Sequence, residues 1–277
     1  GNSAAQSLLA TSDGVTNRRA GLGRPSPYLD GVRVISTFHP AACLRSGDFF
    51  PHLVTDVGKV KLKVRNWSPP KYVVYDDADD AILAIGQLLD HPTDRLVVDI
   101  ETDVEKDTAY DHPNNYEILC VGICFERGKV VVIERNALKD HRVWEWLRKL
   151  FWRKKLIAQN GKYDSSGVYP RMGNTEIWFD TMIASYVLDE RPGIHSLGHM
   201  GVEMLGTPDW KHVLDKYSPK TLGYGVIPPD ELDQYNAYDC SITWDIAEIF
   251  MERLEELGTF IHPVTKEPIQ VKLREVH

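Results

Sequence analysis

The stretch Arg95–Glu101, which reads RLVVDIE, decides the fold because it joins an apolar strand to a pair of carboxylates. The unbroken apolar run Leu96–Val98 is typical of a strand that is buried on both faces of a sheet. Asp99 and Glu101 follow directly, and residues two apart on a strand point to the same side. Ligands of α/β proteins bind at the carboxyl ends of such strands. The stretch therefore predicts a two-carboxylate site at the end of a buried strand.

The pair Asp99 and Glu101 indicates a cation site, because two carboxylates this close repel each other unless a cation lies between them. A strand that leaves the core with two solvated acids is the alternative interpretation. Asp103 lies on the same side if the strand continues. We expect a loop at that position, and Asp103 is therefore not predicted to belong to the site.

Strands and helices alternate on both sides of this stretch. Apolar patterns predict strands over 72–75, 95–101, 117–126, 129–135 and 156–158, and the turn at 127–128 joins two of them into a hairpin. Helical periodicity predicts helices over 79–89, 140–153, 163–169, 181–188, 196–205 and 229–257. This order favours an α/β domain with a mixed central sheet flanked by helices.

A second polar segment, QNGKYD at 159–164, follows the short strand predicted over 156–158 and opens a helix. Asn160 is placed to cap that helix, and its amide can also bind a phosphate or a sugar. Asp164 falls near the first helical turn. An acid that favours the positive end of the helix dipole is the alternative interpretation of Asp164.

A third polar segment, YNAYD at 235–239, lies on the last predicted helix. Tyr235 and Asp239 are four residues apart and share one helix face, so both can reach one point. A core tyrosine beside a surface aspartate is the alternative. Asp180, in FDTM, stands directly before the helix predicted over 181–188, and we predict that it caps this helix.

Taken as a set, these segments carry a family resemblance. A strand with Asp-x-Glu, a helix that opens with Asn-x-Lys-Tyr-Asp and a later helix with Tyr-x-x-x-Asp resemble the DEDD exonucleases, and Tyr235 is typical of their DEDDy branch. The stretches Phe179–Leu205 and Tyr235–Trp244 resemble the proofreading domain of family A DNA polymerases of phage or bacterial type. The resemblance covers 71–258.

The resemblance implies a ribonuclease-H-like (DnaQ-like) fold and metal-dependent removal of nucleotides from a DNA 3′ end. It implies that Asp99, Glu101 and Asp239 hold one divalent ion and that Asp99 bridges to a second. Asp164 then acts on the second ion, and Tyr235 orients the attacking water. The implied cofactors are two Mg²⁺ or Mn²⁺ ions, which prefer the oxygen ligands that these residues offer.

The substrate that the resemblance implies is the 3′ end of single-stranded DNA. Thr102 and Asn160 are then expected near the terminal nucleotide, and Lys162 is expected near a phosphate. An exposed helix lysine is the alternative interpretation of Lys162.

The segment Val32–Lys61 resembles the C-terminal part of uracil-DNA glycosylase-like domains, with a strand, Thr-x-His-Pro and a helix. His39 matches the histidine at the damaged-base site of that family. The family's earlier motifs have no room in the preceding 31 residues, so we expect an inactive remnant. We expect this segment and a linker at 1–70, the exonuclease domain at 71–258, and a tail at 259–277 that leads toward a polymerase domain.

Composition narrows the class of protein. The 277 residues are 43% hydrophobic and 26% charged, which is typical of a folded globular chain. The net charge of −8 argues against a protein that coats nucleic acid through bulk positive charge. The four cysteines form no CxxC pair, which favours buried free thiols in a reducing compartment. Neither a membrane-spanning apolar run nor a signal peptide is visible, so we expect the cytoplasm of a bacterium or phage-infected host and no membrane partner.

Three functions fit these patterns. The first is a DNA 3′-5′ exonuclease that proofreads for a polymerase. The second is a DEDDy exonuclease that acts on RNA, which is weakened because no helical RNA-binding accessory domain follows the catalytic segment. The third is a catalytically inactive scaffold that binds DNA, which the intact set of acids disfavours. Polymerase motifs are absent through His277, so the expected partner is a polymerase domain in the same longer chain.

Overall fold

A computed structural model describes residues 2–10, 23–30, 32–47, 49–61, 67–104, 116–190, 193–208, 210–211, 216–217, 223–257, 259–261 and 268–270. The chain falls into two compact units. The smaller comprises Gly1–Ser68 and Pro192–Asp209, and the larger comprises Pro69–Arg191 and Trp210–His277. Among the described residues, none of the helices combines the length and the apolar character that crossing a membrane requires.

The secondary structure follows the chain in this order. The strands are β1 (Arg24–Pro25), β2 (Arg33–Val34), β3 (Lys71–Tyr75), β4 (Arg95–Val104), β5 (Tyr116–Glu126), β6 (Lys129–Glu134), β7 (Lys155–Ala158), β8 (Ile177–Asp180), β9 (Thr259–Ile261) and β10 (Pro268–Gln270). The helices are α1 (Asn2–Leu9), α2 (Pro40–Arg45), α3 (Phe49–Gly58), α4 (Ala78–Asp90), α5 (Arg135–Leu138), α6 (His141–Arg153), α7 (Gly161–Met172), α8 (Thr181–Leu188), α9 (Leu197–Met200) and α10 (Pro229–Leu257). Single turns lie at Lys59–Lys61, Gly201–Leu205 and Tyr224–Val226.

The smaller unit carries the segment that resembles a glycosylase. Within this segment Arg33–Val34 pairs antiparallel with β1. His39 is the N-cap of α2, because its Nδ1 accepts a hydrogen bond from the Ala41 N–H at 3.1 Å. Helix α3 follows at Phe49–Gly58, with one further turn at Lys59–Lys61.

The larger unit is built on a six-stranded mixed sheet with the order β3-β6-β5-β4-β7-β8. β4 and β5 are antiparallel, as are β5 and β6, whereas β3, β7 and β8 each run parallel to their neighbours. The predicted α/β architecture with a mixed sheet is therefore confirmed. β8 is a strand that the sequence analysis did not predict.

The alternation of side chains along β4 separates the core from the site. Val98 and Ile100 point into one apolar cluster, where they pack with residues such as Ile85 of α4 and Leu147 of α6. Asp99, between them, points to the opposite face, which α10 covers. One face of β4 therefore anchors the strand by hydrophobic burial, while the other presents its carboxylates to α10.

Gly122 lets α10 lie directly on the sheet. A Cβ atom at this position on β5 would come within 2.6 Å of Cys240 Sγ and 2.9 Å of Asn236 Cγ, too close for any real side chain. Cys120 and Cys124, two residues to either side, are buried and form no disulfide, as the sequence analysis predicted. The absence of a side chain at Gly122 thus sets how closely the last helix approaches the acids of β4.

β4 is longer than predicted. It continues to Val104, because β5 pairs with it as far as Val104↔Tyr116, with a register shift between Glu101 and Thr102. The expectation of a loop at Asp103 is therefore wrong. The Asp103 carboxylate lies within the strand and accepts a hydrogen bond from the Gly225 N–H at 3.2 Å.

Candidate active site

The site lies where the carboxyl end of β4 meets the middle of α10. Asp99 and Glu101 project from β4 with side chains on one side of the strand, and Asp239 faces them from α10. One carboxylate oxygen from each of these three residues lies within 4.8 Å of the other two. The structure therefore brings together three acids that are up to 140 residues apart in the sequence. We refer to Asp99, Glu101 and Asp239 as the acid triad.

The acid triad is electrostatically costly by itself. Burial, and then repulsion from Glu101, raises the pKa of Asp99 well above its ordinary value. Burial, and then repulsion from Asp239, raises the pKa of Glu101 in the same direction. A positive charge among these oxygens would remove this repulsion.

The acid triad fits a divalent cation. Carboxylate oxygens are the ligands that Mg²⁺ and Mn²⁺ prefer, and the spacing of these three oxygens allows one ion to touch all of them. Neither a histidine nor a cysteine belongs to this group within the described part of the chain, which disfavours a zinc-type donor set. The site therefore suits a hard cation.

Asp164 lies beside the acid triad but is not a member of it. It stands in the first turn of α7, and its Oδ1 accepts the N–H of Ile100, the residue between Asp99 and Glu101, at 3.0 Å. Burial raises the pKa of Asp164 to about 7. The hydrogen bond fixes this carboxylate next to β4.

Tyr235 lies one turn before Asp239 on α10 and points to the same place. Its side chain is buried, and burial raises its pKa well above the ordinary value, with a further contribution from the negative charge of Asp239. The hydroxyl oxygen of Tyr235 accepts a hydrogen bond from Lys211 Nζ at 2.8 Å. The phenol is therefore neutral near pH 7, and its own O–H remains available as a donor.

Lys211 and Trp210 belong to the site although the sequence analysis did not identify them. Lys211 Nζ lies 3.1 Å from Asp239 Oδ2, and Trp210 Nε1 donates a hydrogen bond to Asp239 Oδ1. Both oxygens of the Asp239 carboxylate are thus engaged. No motif marks these two residues, because they lie in a turn, where spacing along the sequence does not predict which way a side chain points.

Asn236 is a third residue that the sequence analysis did not single out. Its side chain is completely buried, and its Nδ2 donates to Asp99 Oδ2 at 2.7 Å and to the Asp99 backbone oxygen at 3.3 Å. It therefore fixes the Asp99 carboxylate. Its position inside YNAYD, next to Tyr235, was a signal that could have identified it.

The predicted substrate contacts lie around the acids, but with different surroundings. Thr102 is buried, and its hydroxyl forms a hydrogen bond with the Tyr163 hydroxyl. Lys162 is exposed near the start of α7, two residues before Asp164. Tyr224 is partly buried, and burial followed by the charge of Glu101 raises its pKa. The negative charge of Glu101 therefore acts on Tyr224.

Asn160 occupies the N-cap position of α7 without capping it through its side chain, so that part of the prediction is wrong. Its backbone adopts a left-handed conformation with φ 61°. Asp180 accepts the N–H of Asn160 at 3.2 Å and of Gly161 at 2.8 Å. Asp180 also accepts the N–H of Met182 at 2.8 Å, which confirms that it caps α8. One carboxylate therefore secures two helix starts.

Comparison with known proteins gives one family and one fold. Residues 72–255 match the family model of the 3′-5′ exonuclease domain. Over 267 residues the chain is 26% identical to a DNA polymerase of Bacillus phage SP01. The aligned region covers 82% of this chain and 28% of that polymerase. The chain thus spans less than a third of the length of this relative.

Two solved structures share the architecture of the chain. Escherichia coli RNase D, an exoribonuclease involved in structured RNA processing, aligns with a TM-score of 0.54 and 16% identity over 68% of this chain and 46% of its own. Trypanosoma brucei RNase D in complex with RNA U12 aligns with a TM-score of 0.53 and 15% identity over 65% of this chain and 62% of its own. At these identities the likeness shows the fold alone, and the predicted ribonuclease-H-like fold is confirmed.

Proposed function

This chain belongs to the 3′-5′ exonuclease family, and from that premise we propose that it removes nucleoside 5′-monophosphates from the 3′ end of single-stranded DNA. The observation that carries the proposal is the acid triad, whose three carboxylate oxygens lie within 4.8 Å of one another. Acids packed this closely repel one another unless a cation lies between them, and cation-dependent hydrolysis of a phosphodiester is the chemistry that oxygen-ligated ions support.

We propose that the acid triad holds one divalent ion and that Asp164, together with Asp99, serves a second. When bound, Mg²⁺ or Mn²⁺ makes water more acidic and neutralises charge on the leaving oxygen. Asn236 supports this role, because its amide holds one Asp99 oxygen at 2.7 Å. This hydrogen bond holds the Asp99 carboxylate in place beside the other two acids.

Tyr235 is proposed to orient the attacking water. A neutral phenol of raised pKa is a poor base at pH 7 but a good hydrogen-bond donor. Lys211 donates to the phenolic oxygen at 2.8 Å, so the hydroxyl proton of Tyr235 must point to another acceptor. A water molecule beside the acid triad is such an acceptor.

The proposed substrate contacts are Thr102, Asn160 and Lys162. Thr102 follows Glu101 directly in the sequence, and its hydroxyl forms a hydrogen bond with the Tyr163 hydroxyl. These two hydroxyl groups are polar groups that a nucleotide can contact. Lys162 is exposed close to Asp164, where its charge can meet a phosphate. Asn160 lies at the N-cap position of α7, just before Lys162 and Asp164.

DNA is proposed as the substrate because the 26% identical relative is a DNA polymerase, and its alignment covers 82% of this chain. The neighbours named RNase D share only the fold at 15–16% identity. We further propose that the chain proofreads for a polymerase domain of the same longer protein, in the cytoplasm of a bacterium or of a phage-infected host.

Residues 1–70 are proposed to be an inactive glycosylase-like remnant with a linker, and 259–277 a connecting tail. The exonuclease domain is then 71–258. His39 supports the first assignment, since its Nδ1 accepts the hydrogen bond that caps α2.

The test compares the wild-type chain with the double variant Asp99→Ala, Glu101→Ala on 5′-labelled single strands of DNA and RNA with equal sequence. We expect Mg²⁺-dependent stepwise shortening of the DNA by the wild type and loss of at least about a thousandfold in the variant. Equal rates for variant and wild type would refute the assigned site. Faster shortening of RNA than of DNA would mean that RNA, and not DNA, is the substrate. Binding of DNA without any shortening would indicate an inactive scaffold.

A further inference from the structure

We propose that Lys211 is a resident counter-cation of the acid triad, which a divalent ion displaces from Asp239 when it binds. The inference rests on the proposed function, since it concerns how the proposed metal site is filled. Its basis is geometric. Lys211 Nζ lies 3.1 Å from Asp239 Oδ2 and 2.8 Å from the Tyr235 hydroxyl oxygen, so one ammonium group bridges a triad acid and the phenol.

The charges that face this ammonium group explain why it is held. Asp239 and Tyr235 contact it from α10, and the charges of Asp99 and Glu101 act on it from β4, since Lys211 lowers the pKa of both against the larger effect of burial. The ammonium also lies over the ring of Tyr235, 4.8 Å from its centroid, and such cation–π contacts are favourable. Lys211 therefore supplies part of the positive charge that the buried acids need.

A divalent ion and the Lys211 ammonium compete for Asp239 in this arrangement. One oxygen of the Asp239 carboxylate accepts from Trp210 Nε1 and the other lies against Lys211. A Mg²⁺ ion in the acid triad needs an Asp239 oxygen at roughly 2.0–2.1 Å, and at that place it would repel an ammonium group only a few ångströms away. We therefore expect binding to move Lys211 Nζ off Asp239.

The contact with Tyr235 gives the displaced ammonium a defined place. It can keep its hydrogen bond to the Tyr235 hydroxyl while it leaves Asp239, because the two acceptors are separate atoms on one helix face. Lys211 is thus a positioning residue that compensates the acids without an ion and holds Tyr235 when the ion is present.

The test measures Mn²⁺ binding to the metal-stripped full chain by calorimetry, for wild type, Lys211→Met, Lys211→Arg and the control Lys216→Met. Lys216 forms an exposed ion pair with Glu231 of α10 at 2.7 Å, so its substitution removes a lysine contact to the same helix outside the acid triad. We expect Lys211→Met to bind Mn²⁺ roughly tenfold more tightly than wild type. Lys211→Arg, which keeps the charge, and Lys216→Met should stay within about twofold.

If Lys211→Met unfolds easily, the Tm measured with and without Mn²⁺ is a second readout that still tests the inference. Metal-free Lys211→Met should have a lower Tm than wild type, and saturating Mn²⁺ should raise its Tm by more. Unchanged or weaker Mn²⁺ binding by Lys211→Met overturns the inference, as does equal tightening in Lys211→Arg, which would mean that shape and not charge matters. If wild type shortens DNA but these results fail, only the inference falls. If wild type neither binds Mn²⁺ nor shortens DNA, the proposed function falls with it.

Discussion

Adding one methyl group at Gly122 should damage both the fold and the site, because this glycine faces α10 directly. In Gly122→Ala the new Cβ would lie 2.6 Å from Cys240 Sγ and 2.9 Å from Asn236 Cγ. Both neighbours are completely buried, so neither has open space into which it can move. α10 must shift away from β5, or Asn236 must leave its place.

The cost follows from these two responses. Overpacking a close-packed interior costs about 1–3 kcal/mol. Moving Asn236 also breaks its 2.7 Å hydrogen bond to Asp99 Oδ2, and a hydrogen bond to a charged group contributes roughly 1.5–3 kcal/mol. We therefore expect a loss of about 1–3 kcal/mol in the free energy of unfolding if α10 shifts alone and up to about 6 kcal/mol if Asn236 also moves, which lowers the Tm by roughly 2–4 °C per kcal/mol for a unit of this size.

The assay is urea unfolding followed by circular dichroism, together with the rate of DNA shortening measured well below the Tm. Gly86→Ala is the matched control, since its Cβ would meet only Trp146, at an ordinary 3.8 Å. That substitution within α4 should stabilise the helix by about 0.5–1 kcal/mol. A Gly122→Ala chain as stable and as active as Gly86→Ala would refute the close approach of α10 to the sheet.

Four further substitutions or conditions test the site. Asn236→Ala should lower the free energy of unfolding by about 2 kcal/mol or more and weaken Mn²⁺ binding, because Asp99 loses its buried donor; urea unfolding and calorimetry measure these. Tyr235→Phe should reduce kcat roughly 10- to 100-fold with little change in Tm, since only the orienting hydroxyl is lost; steady-state kinetics on a short DNA strand decide this. Asp180→Ala should lower the free energy of unfolding by at least about 1–2 kcal/mol, as two helix starts lose their acceptor, whereas Asp180→Asn should lose less. In metal-free protein the folded state keeps a proton on Asp164, whose pKa is raised to about 7, and the unfolded state releases it above roughly pH 4. The free energy of unfolding should therefore fall as pH rises from about 4 through 7, and Mg²⁺ should flatten that fall; urea titrations with Mg²⁺ or with a chelator test it.

Much of the larger unit was predictable because its elements are regular. The apolar run of β4, the hairpin of β5 and β6 and the amphipathic helix α6 each carry a period that the sequence shows, and all three form as expected. β8 was missed because it has four residues and no alternation long enough to distinguish it from a loop. The extension of β4 was missed because it depends on pairing with β5, which a local pattern cannot reveal.

Within an element, the site was predictable from spacing. Asp99 with Glu101 on a strand, and Tyr235 with Asp239 on a helix, share a face by the geometry of their elements, and the structure brings both pairs to one place. Between elements, spacing has no predictive power. Asp164 was placed only by the family resemblance, and its hydrogen bond to the Ile100 N–H depends on how α7 packs against β4.

The charge balance of the site is the part that sequence patterns could not predict, and the reason is physical. Buried acids create a demand for positive charge that any nearby flexible side chain can meet, from any position along the chain. Lys211 meets it from 24 residues before Tyr235, with four rotatable side-chain bonds and no fixed relation to the period of α10. An acid triad can therefore be anticipated from motifs, whereas its counter-charge has to be found in three dimensions. This is why the displacement of Lys211 by a cation, and not the triad itself, is the sharper test of how this site works.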